Sequence, residues 1–411
     1  MQDNAASGVA TLPPSRTVHR AADDDAGPSA APGSLSSVHI GISYQLNGAG
    51  RVFAELSRSL PAAGVRFAGT VAEPDNVYAL SGGQVGLFAS STSGMKTRLT
   101  AGRRTVLQLI ASEKADILAS HFALYAAPLL DRLHRRSTFA FVNHFHGPWA
   151  AESVQEGANA TAAFAKKSLE RLVYRRADRT IVLSRAFARI VVEHYRIPED
   201  SIRVVPGSVD TSRFNTDLTR QQARKSLGLP LDRPLLVTVR RLVNRMGLHP
   251  LLEAMREVCR VVPDVLLVIA GSGPLREGLN QAIAEFELQK NIRLLGFVSD
   301  EQLPLLYRAA DLNVVPSQAL EGFGLVAVEA LAAGTPSMVT PVGGLPEIVS
   351  DLSPSLVFSS TASSAIAHQL VEVLRGGQKL PTESQCREFV LRNYTSTQMA
   401  NSVAAIYREV V

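Results

Sequence analysis

Short, uninterrupted apolar runs alternate with segments of helical spacing along this chain, and they do so in two successive series. A strand that is apolar on both faces must be covered on both, so the pattern calls for parallel sheets with helices above and below. The first series opens with a strand at 38–43, a glycine turn at 47–50, and a helix over 51–60 with Val52, Phe53, Leu56 and Leu60 on one stripe. Strands follow at 117–119, 139–142, 180–183 and 202–205, with an amphipathic helix over 162–176 and Ser184 placed as a helix N-cap. The second series has strands at 235–239, 265–269, 292–295, 312–315 and 336–339, with a helix at about 247–260. The fold class is therefore α/β, with two Rossmann-like doubly wound domains facing each other across a cleft. The expected boundaries are a disordered tail at 1–36, an N-terminal domain at 37–206, a C-terminal domain at 207–385, and C-terminal helices at 386–411 that cross back toward the N-terminal domain.

Composition excludes several classes. At 411 residues the chain exceeds one compact core, and 46% apolar with 19% charged residues is ordinary for a globular protein. No apolar run approaches the ~18 residues of a membrane span, and the N-terminus lacks a basic region followed by an apolar stretch. Two cysteines, Cys259 and Cys386, build neither a disulfide framework nor a cysteine zinc site. The net charge of +5 is spread along the chain without an aromatic-interleaved stripe, so nucleic acid is not an expected partner. The expected location is cytoplasmic. The helix at 162–176 carries Lys166, Lys167, Arg171, Arg175 and Arg176, read first as a solvated face and second as a peripheral contact with anionic lipid at the inner membrane face. Asp23, Asp24 and Asp25 form an Asp-x-Asp in the tail, which is attributed to chance. The stretch 71–96 is polar and rich in Gly and Ser, and is read as a loop that serves as an acceptor-side lid.

The chemistry concentrates in 316–330. A strand ends at Val315, a loop holds Glu321, Gly322 and Phe323, and a helix starts near Gly324 and Leu325. Ligands of open parallel sheets sit beyond the carboxyl ends of strands, and the free N–H groups of a helix start favour an anion such as a diphosphate. Glu321 is placed to accept hydrogen bonds from sugar hydroxyls, and Glu329, further along the helix, to hold a ribose.

With its two glutamates in a Glu-Gly-Phe-Gly context, this segment resembles family 4 of the glycosyltransferases, which have the GT-B fold and retain anomeric configuration. Val205-Pro206-Gly207-Ser208-Val209-Asp210 through Phe214, Arg241-Leu242-Val243 with Gly247, 270–275, and Gly343-Gly344-Leu345-Pro346-Glu347 extend the likeness over essentially all of 38–411. The resemblance implies that Arg241 binds the donor diphosphate, for which a permanently charged bidentate guanidinium is suited. A lysine is usual five residues later in the family. Met246 stands there, and the adjacent Arg245 is the expected second cation. Gly271, Gly322, Phe323, Gly324 and Leu325 complete the donor-binding set.

In the N-terminal half, His146 matches a family histidine that orients the donor sugar, while His144 is read as structural and His121 as either core or acceptor contact. Gly48 matches the second glycine of the family's paired-glycine turn, with Asn47 in place of the first. No lysine follows as in a phosphate-loop NTPase. Neither a metal nor a cofactor is expected, since no carboxylate or cysteine stands near the histidines with metal-site spacing.

The implied activity is retaining transfer of a hexosyl or N-acetylhexosaminyl group from a nucleotide sugar, with UDP-sugars the first guess, by front-face attack without an enzymic nucleophile. Three acceptor classes stay open: a lipid-linked sugar in polysaccharide assembly, a lipid headgroup, and a small molecule such as an aminocyclitol, all from bacterial biosynthesis. The alternatives are a GT-B sugar-nucleotide epimerase and a non-catalytic nucleotide-sugar-binding subunit.

Overall fold

The structure is a computed structural model that describes residues 34–45, 48–133 and 138–411. The tail residues that carry Asp23–Asp25, and Asn47 in the glycine turn, lie outside the described residues. Seven parallel strands form the first sheet: β1 (Leu35–Ile40), β2 (Val65–Val71), β3 (Val85–Leu87), β4 (Ile117–Ser120), β5 (Ala140–Phe145), β6 (Arg179–Val182) and β7 (Ile202–Val204), in the order β3-β2-β1-β4-β5-β6-β7. Five more form the second: β8 (Leu235–Val239), β9 (Leu266–Ala270), β10 (Ile292–Gly296), β11 (Leu312–Val315) and β12 (Ser337–Val339), in the order β10-β9-β8-β11-β12. All registered pairs are parallel. In each sheet the order reverses beside the first strand, which opens a crevice between β1 and β4 and another between β8 and β11. This is the expected pair of Rossmann-like sheets of the GT-B fold.

Local chemistry explains the element ends. Ser184 accepts a hydrogen bond from the Phe187 amide at 3.1 Å and caps the helix Arg185–Tyr195. Thr382 and Thr395 each form a capping box, with Gln385 and Gln398 respectively. The helix Glu383–Asn393 packs on the helix Leu325–Ala332 of the second half, whereas the last helix, Ser396–Val410, packs on Gly48–Ser59 of the first. The chain therefore crosses between halves at Tyr394–Thr395. Tyr407 is fully buried there, and Glu409 accepts from Arg179 and Arg203 beside β6 and β7. Among the described residues no helix is long and apolar enough to cross a membrane.

Three sequence expectations need correction. Strand β1 starts at Leu35, inside the stretch expected as tail, because Ser36 and Ser37 are buried with their polar groups paired: the Ser36 amide donates to Asp116 and the Ser37 hydroxyl to the Arg66 carbonyl. The stretch 71–96 is not a structureless lid. It holds the end of β2, a helical turn at Val77–Leu80, the edge strand β3, and the start of the helix Met95–Glu113. Val77 and Val85 pack against Tyr44, Phe53 and Val71, while Ala72 and Phe88 join the main core of the first half. The strand expected at 139–142 runs to Phe145, so His144 lies within β5 rather than after it.

Candidate functional site

The carboxyl ends of β8 and β11 meet at the crevice of the second sheet. Arg240 continues β8, its amide bonded to the Ala270 carbonyl at 2.9 Å. Its guanidinium is buried and donates to the Ser317 hydroxyl and to the Glu321 carboxylate, both at the end of β11. Ser317 in turn donates to the same Glu321 oxygen at 2.9 Å. Burial alone would raise the Glu321 carboxyl, but the charge and hydrogen bond of Arg240 outweigh it and hold the group below its ordinary range.

Arg240 was not among the expected site residues, which named its neighbour Arg241. β8 is covered on both faces, with Leu235 through Thr238 all buried; past it Arg240 is buried and Arg241 exposed, so the strand's own pattern does not tell the two arginines apart.

Arg241 lies with its guanidinium 3.8 Å from Glu156 of the first half. Arg245 is nearly covered, donates to the Leu320 carbonyl at 3.2 Å, and sits 3.3 Å from Glu152 on the helix Trp149–Gln155 of the first half. Met246 is buried in the short turn Asn244–Met246, so of these two neighbours only Arg245 presents a cation at the crevice. Two cations of one half thus face two carboxylates of the other.

Glu329 is the second shared point. One of its oxygens accepts from Arg51 at 2.9 Å and the other from the buried Tyr307 hydroxyl at 3.1 Å. Arg51 belongs to the helix Gly48–Ser59 of the first half and also reaches Asp300 at 3.0 Å. Gln45, Arg51, Arg213, Asp300, Leu325 and Glu329 line a cavity of about 250 Å³ between the halves. Nothing local in the sequence marks Arg51, whose role depends on a partner 278 positions away.

The glycines serve close backbone approach. A Cβ on Gly271 would lie 1.8 Å from the Arg240 carbonyl oxygen, and one on Gly343 would lie 1.9 Å from that of Glu321. A Cβ on Gly322 would meet the Phe187 ring of the first half at 2.5 Å. Gly324 starts the helix Leu325–Ala332 at φ +91°. Phe323 is buried against Tyr394, and Leu325 is partly buried in the same core. Around Gly48, at the start of its helix, the space is open.

On the first half, His146 follows β5, and its Nε2 lies 2.9 Å from Nδ1 of His121, which follows β4. His121 continues to His39 of β1, and His144 bonds the Tyr407 hydroxyl at 2.9 Å. His39, unremarked in the sequence analysis, is fully buried inside β1. Burial lowers all four rings, His39 to about 3 and His146 to about 4.

The sign follows from linkage. Near pH 6.5 and below, the unfolded chain takes up protons on these histidines and the folded chain does not, so acid favours unfolding. Stability is expected to fall as pH drops from about 6.5 toward 4, by up to about 1.4 kcal/mol per pH unit for each such ring. A thermal melt series from pH 8 to 5 checks this, and a flat Tm between pH 7 and 5 contradicts it.

Two family profiles match. The description Glycosyltransferase Family 4 fits residues 46–213, and Glycosyl transferases group 1 fits residues 219–389. A D-inositol 3-phosphate glycosyltransferase of Segniliparus rotundus is 31% identical over 236 residues, 56% of this chain and 52% of that one. A GDP-mannose-dependent alpha-(1-6)-phosphatidylinositol monomannoside mannosyltransferase of Mycolicibacterium smegmatis is 33% identical over 184 residues, 43% of this chain and 48% of that one. The chain spans about half the length of the curated relatives it matches. Among solved structures, sucrose-phosphate synthase of Thermosynechococcus elongatus superposes with a TM-score of 0.75 at 22% identity, covering 91% of this chain and 98% of that one. HepE of Anabaena, in complex with UDP and glucose, gives 0.75 at 18% identity, covering 91% and 100%.

Proposed function

We propose, given that this chain belongs to the group 1 glycosyltransferases of family 4, that it transfers a hexosyl or N-acetylhexosaminyl group from a nucleoside-diphosphate sugar to an acceptor hydroxyl, with retention and without a metal. The observation that carries the reading is the carboxylate of Glu321, held by Arg240 and Ser317 at the crevice of the second sheet, with Arg245 bonded to the adjacent Leu320 carbonyl and Arg241 next to Arg240 in the chain. A buried, ionised carboxylate fixed on rigid elements is a preorganised acceptor for sugar hydroxyls. Arg241 and Arg245 supply the charge that a departing nucleoside diphosphate needs, with Arg245 in place of the usual lysine. Glu329 takes the ribose and shares it with Arg51, and the helix start at Gly324 and Leu325 faces the diphosphate. Gly48 and His146 close over the sugar from the first half. Domain closure excludes water from the reacting centre.

The UDP complex of HepE supports a UDP-sugar, whereas the mannosyltransferase relative is named for GDP-mannose. Relatives named for inositol phosphate and for a phosphatidylinositol mannoside support a cyclitol or a lipid headgroup as acceptor. The helix Ala160–Tyr174 exposes Phe164 and Leu172 beside Lys167 and Arg171, which supports contact with an anionic lipid surface.

The test is nucleoside diphosphate release from UDP-, GDP- and ADP-sugars with EDTA present, with and without inositol phosphate or phosphatidylinositol. Release from one donor, raised by an acceptor, is expected. Arg241→Ala and Arg245→Met should each lower kcat/KM by about 10- to 100-fold, as loss of a charged hydrogen bond does. Interconversion of donor sugars without release would support an epimerase. Binding without release from any donor would support a non-catalytic subunit.

A further inference from the structure

The three imidazoles behind the cleft are joined nitrogen to nitrogen. His39 Nδ1 lies 3.0 Å from His121 Nε2, and His121 Nδ1 lies 2.9 Å from His146 Nε2. At the inner end His39 Nε2 lies 3.1 Å from the Ser37 hydroxyl. Sheet order causes the juxtaposition: β1, β4 and β5 are neighbours, and their carboxyl ends carry these rings. Among the described residues no group of three or more His, Cys, Asp or Glu side chains could hold a metal ion, so a shared metal does not organise them.

The inner end decides where every proton sits. Ser37 has one hydroxyl hydrogen, and it is donated to the Arg66 carbonyl at 2.9 Å. Toward His39 the Ser37 oxygen can therefore only accept. The Tyr407 hydroxyl also lies 3.5 Å from His39 Nε2, but it is closer to His144 Nε2, at 2.9 Å. With Ser37 as the nearer partner, His39 carries its proton on Nε2, which leaves Nδ1 bare. His121 must then donate from Nε2, which leaves its own Nδ1 bare. His146 must donate from Nε2 in turn. Each ring carries one proton, as a neutral imidazole does. The chain ends at Nδ1 of His146, a covered nitrogen with no hydrogen-bond partner among the described residues. Stacking restrains the rings further: His121 lies 4.4 Å from His144 and 5.2 Å from His146, at interplanar angles of 10° and 15°.

We infer that Ser37, His39 and His121 are positioning residues that hold His146 as the Nε2–H tautomer, so that its Nδ1 lone pair accepts a hydrogen bond from a hydroxyl of the donor sugar. The inference rests on the reading above that His146 faces that sugar, and adds a specificity to it. A bare, uncharged acceptor matches a hydroxyl. It opposes a carboxylate or a phosphate oxygen, which brings lone pairs and no hydrogen. The site should take neutral sugars and reject a uronate at the same position. A site built around a hydrogen bond discriminates strongly when that bond cannot form, because its polar group is left unpaired.

The first measurement needs no variant of the relay. Long-range ¹H–¹⁵N spectra of the ¹⁵N-histidine-labelled chain report which nitrogen of each ring is protonated, and loss of a signal in His146→Gln assigns His146. The expected result at neutral pH is a proton on Nε2 and a bare Nδ1; a proton on Nδ1 overturns the proposal. His121→Phe keeps a ring in place and removes the acceptor. It should leave His146 in mixed tautomers, lower kcat by about tenfold or more with little change in donor KM, and shrink the preference for the neutral donor over its uronate. Unchanged tautomer and unchanged discrimination in a folded His121→Phe chain would overturn the relay. If the wild-type tautomer is as expected but His146→Gln turns over donor normally, the sugar-facing assignment of His146 fails, and the proposal fails at that end alone.

Discussion

Glu321→Ala is expected to lower both stability and turnover, and the two losses can be separated. Arg240 stays behind with its guanidinium buried and, among the described residues, only the Ser317 hydroxyl as a side-chain partner. Breaking a buried pair by removing one member costs about 3–5 kcal/mol, because the remaining charge is uncompensated. For a domain of this size that corresponds to a Tm lower by roughly 10 °C. Turnover should fall by about 10²–10³, the usual effect of removing one preorganised charged group from an active site. The double variant Arg240→Met with Glu321→Leu removes both charges and restores apolar packing, so most of the lost Tm should return. Nucleoside diphosphate release should not return with it. If the double variant regained both, Glu321 would be only the structural partner of Arg240, and the proposed sugar-binding role would fall.

Gly271→Ala should disable the site without touching any ligand. The added Cβ would lie 1.8 Å from the Arg240 carbonyl oxygen, well inside van der Waals contact, and the residue sits at φ +137°, where side chains are strained. Backbone strain of this kind costs about 1–3 kcal/mol. The overlap adds to it, because the neighbour is main chain and cannot rotate away. The end of β8 must shift, and it carries Arg240 and therefore Glu321. The expected outcome is a loss of at least about 3 kcal/mol together with a fall in kcat of about 100-fold, since small misplacements of catalytic groups are costly. Gly48→Ala is the stability control, because among the described residues nothing lies within 4 Å of a Cβ there. Equal melting temperatures for the two variants would show that the β8–β9 contact tolerates a methyl group and that the close approach is not what holds Arg240.

Much of this molecule was legible in the chain. The strands at 235–239 and 312–315 were read with the ends the structure has, because each is a short apolar run bounded by proline or charged residues. Ser184 was readable as a cap, since the rule is local. The stretch 71–96 was not legible. Its edge strand β3 has three residues and relies on two valines, too few for a periodic signal. His121, His144 and His146 were visible one by one, His39 was not, and His146 was selected by resemblance alone. Their linkage into a chain was not visible, because it depends on β1 lying beside β4 and β4 beside β5.

The sequence by itself determined every strand but β2 and β3, the parallel character of both sheets, and the glutamate-bearing loop after β11. These follow from periodicity and local backbone preference, which act over a few residues. Only the tertiary structure decided that Arg240 rather than Arg241 is buried against Glu321, that Glu329 is bound by Arg51 of the other half, and that His39 stands behind His121. Those pairs are 81, 278 and 82 positions apart, and no local rule relates their geometry. Sheet order and the docking of one half on the other bring them together, and burial then forces each charged or polar group to find the partner it has.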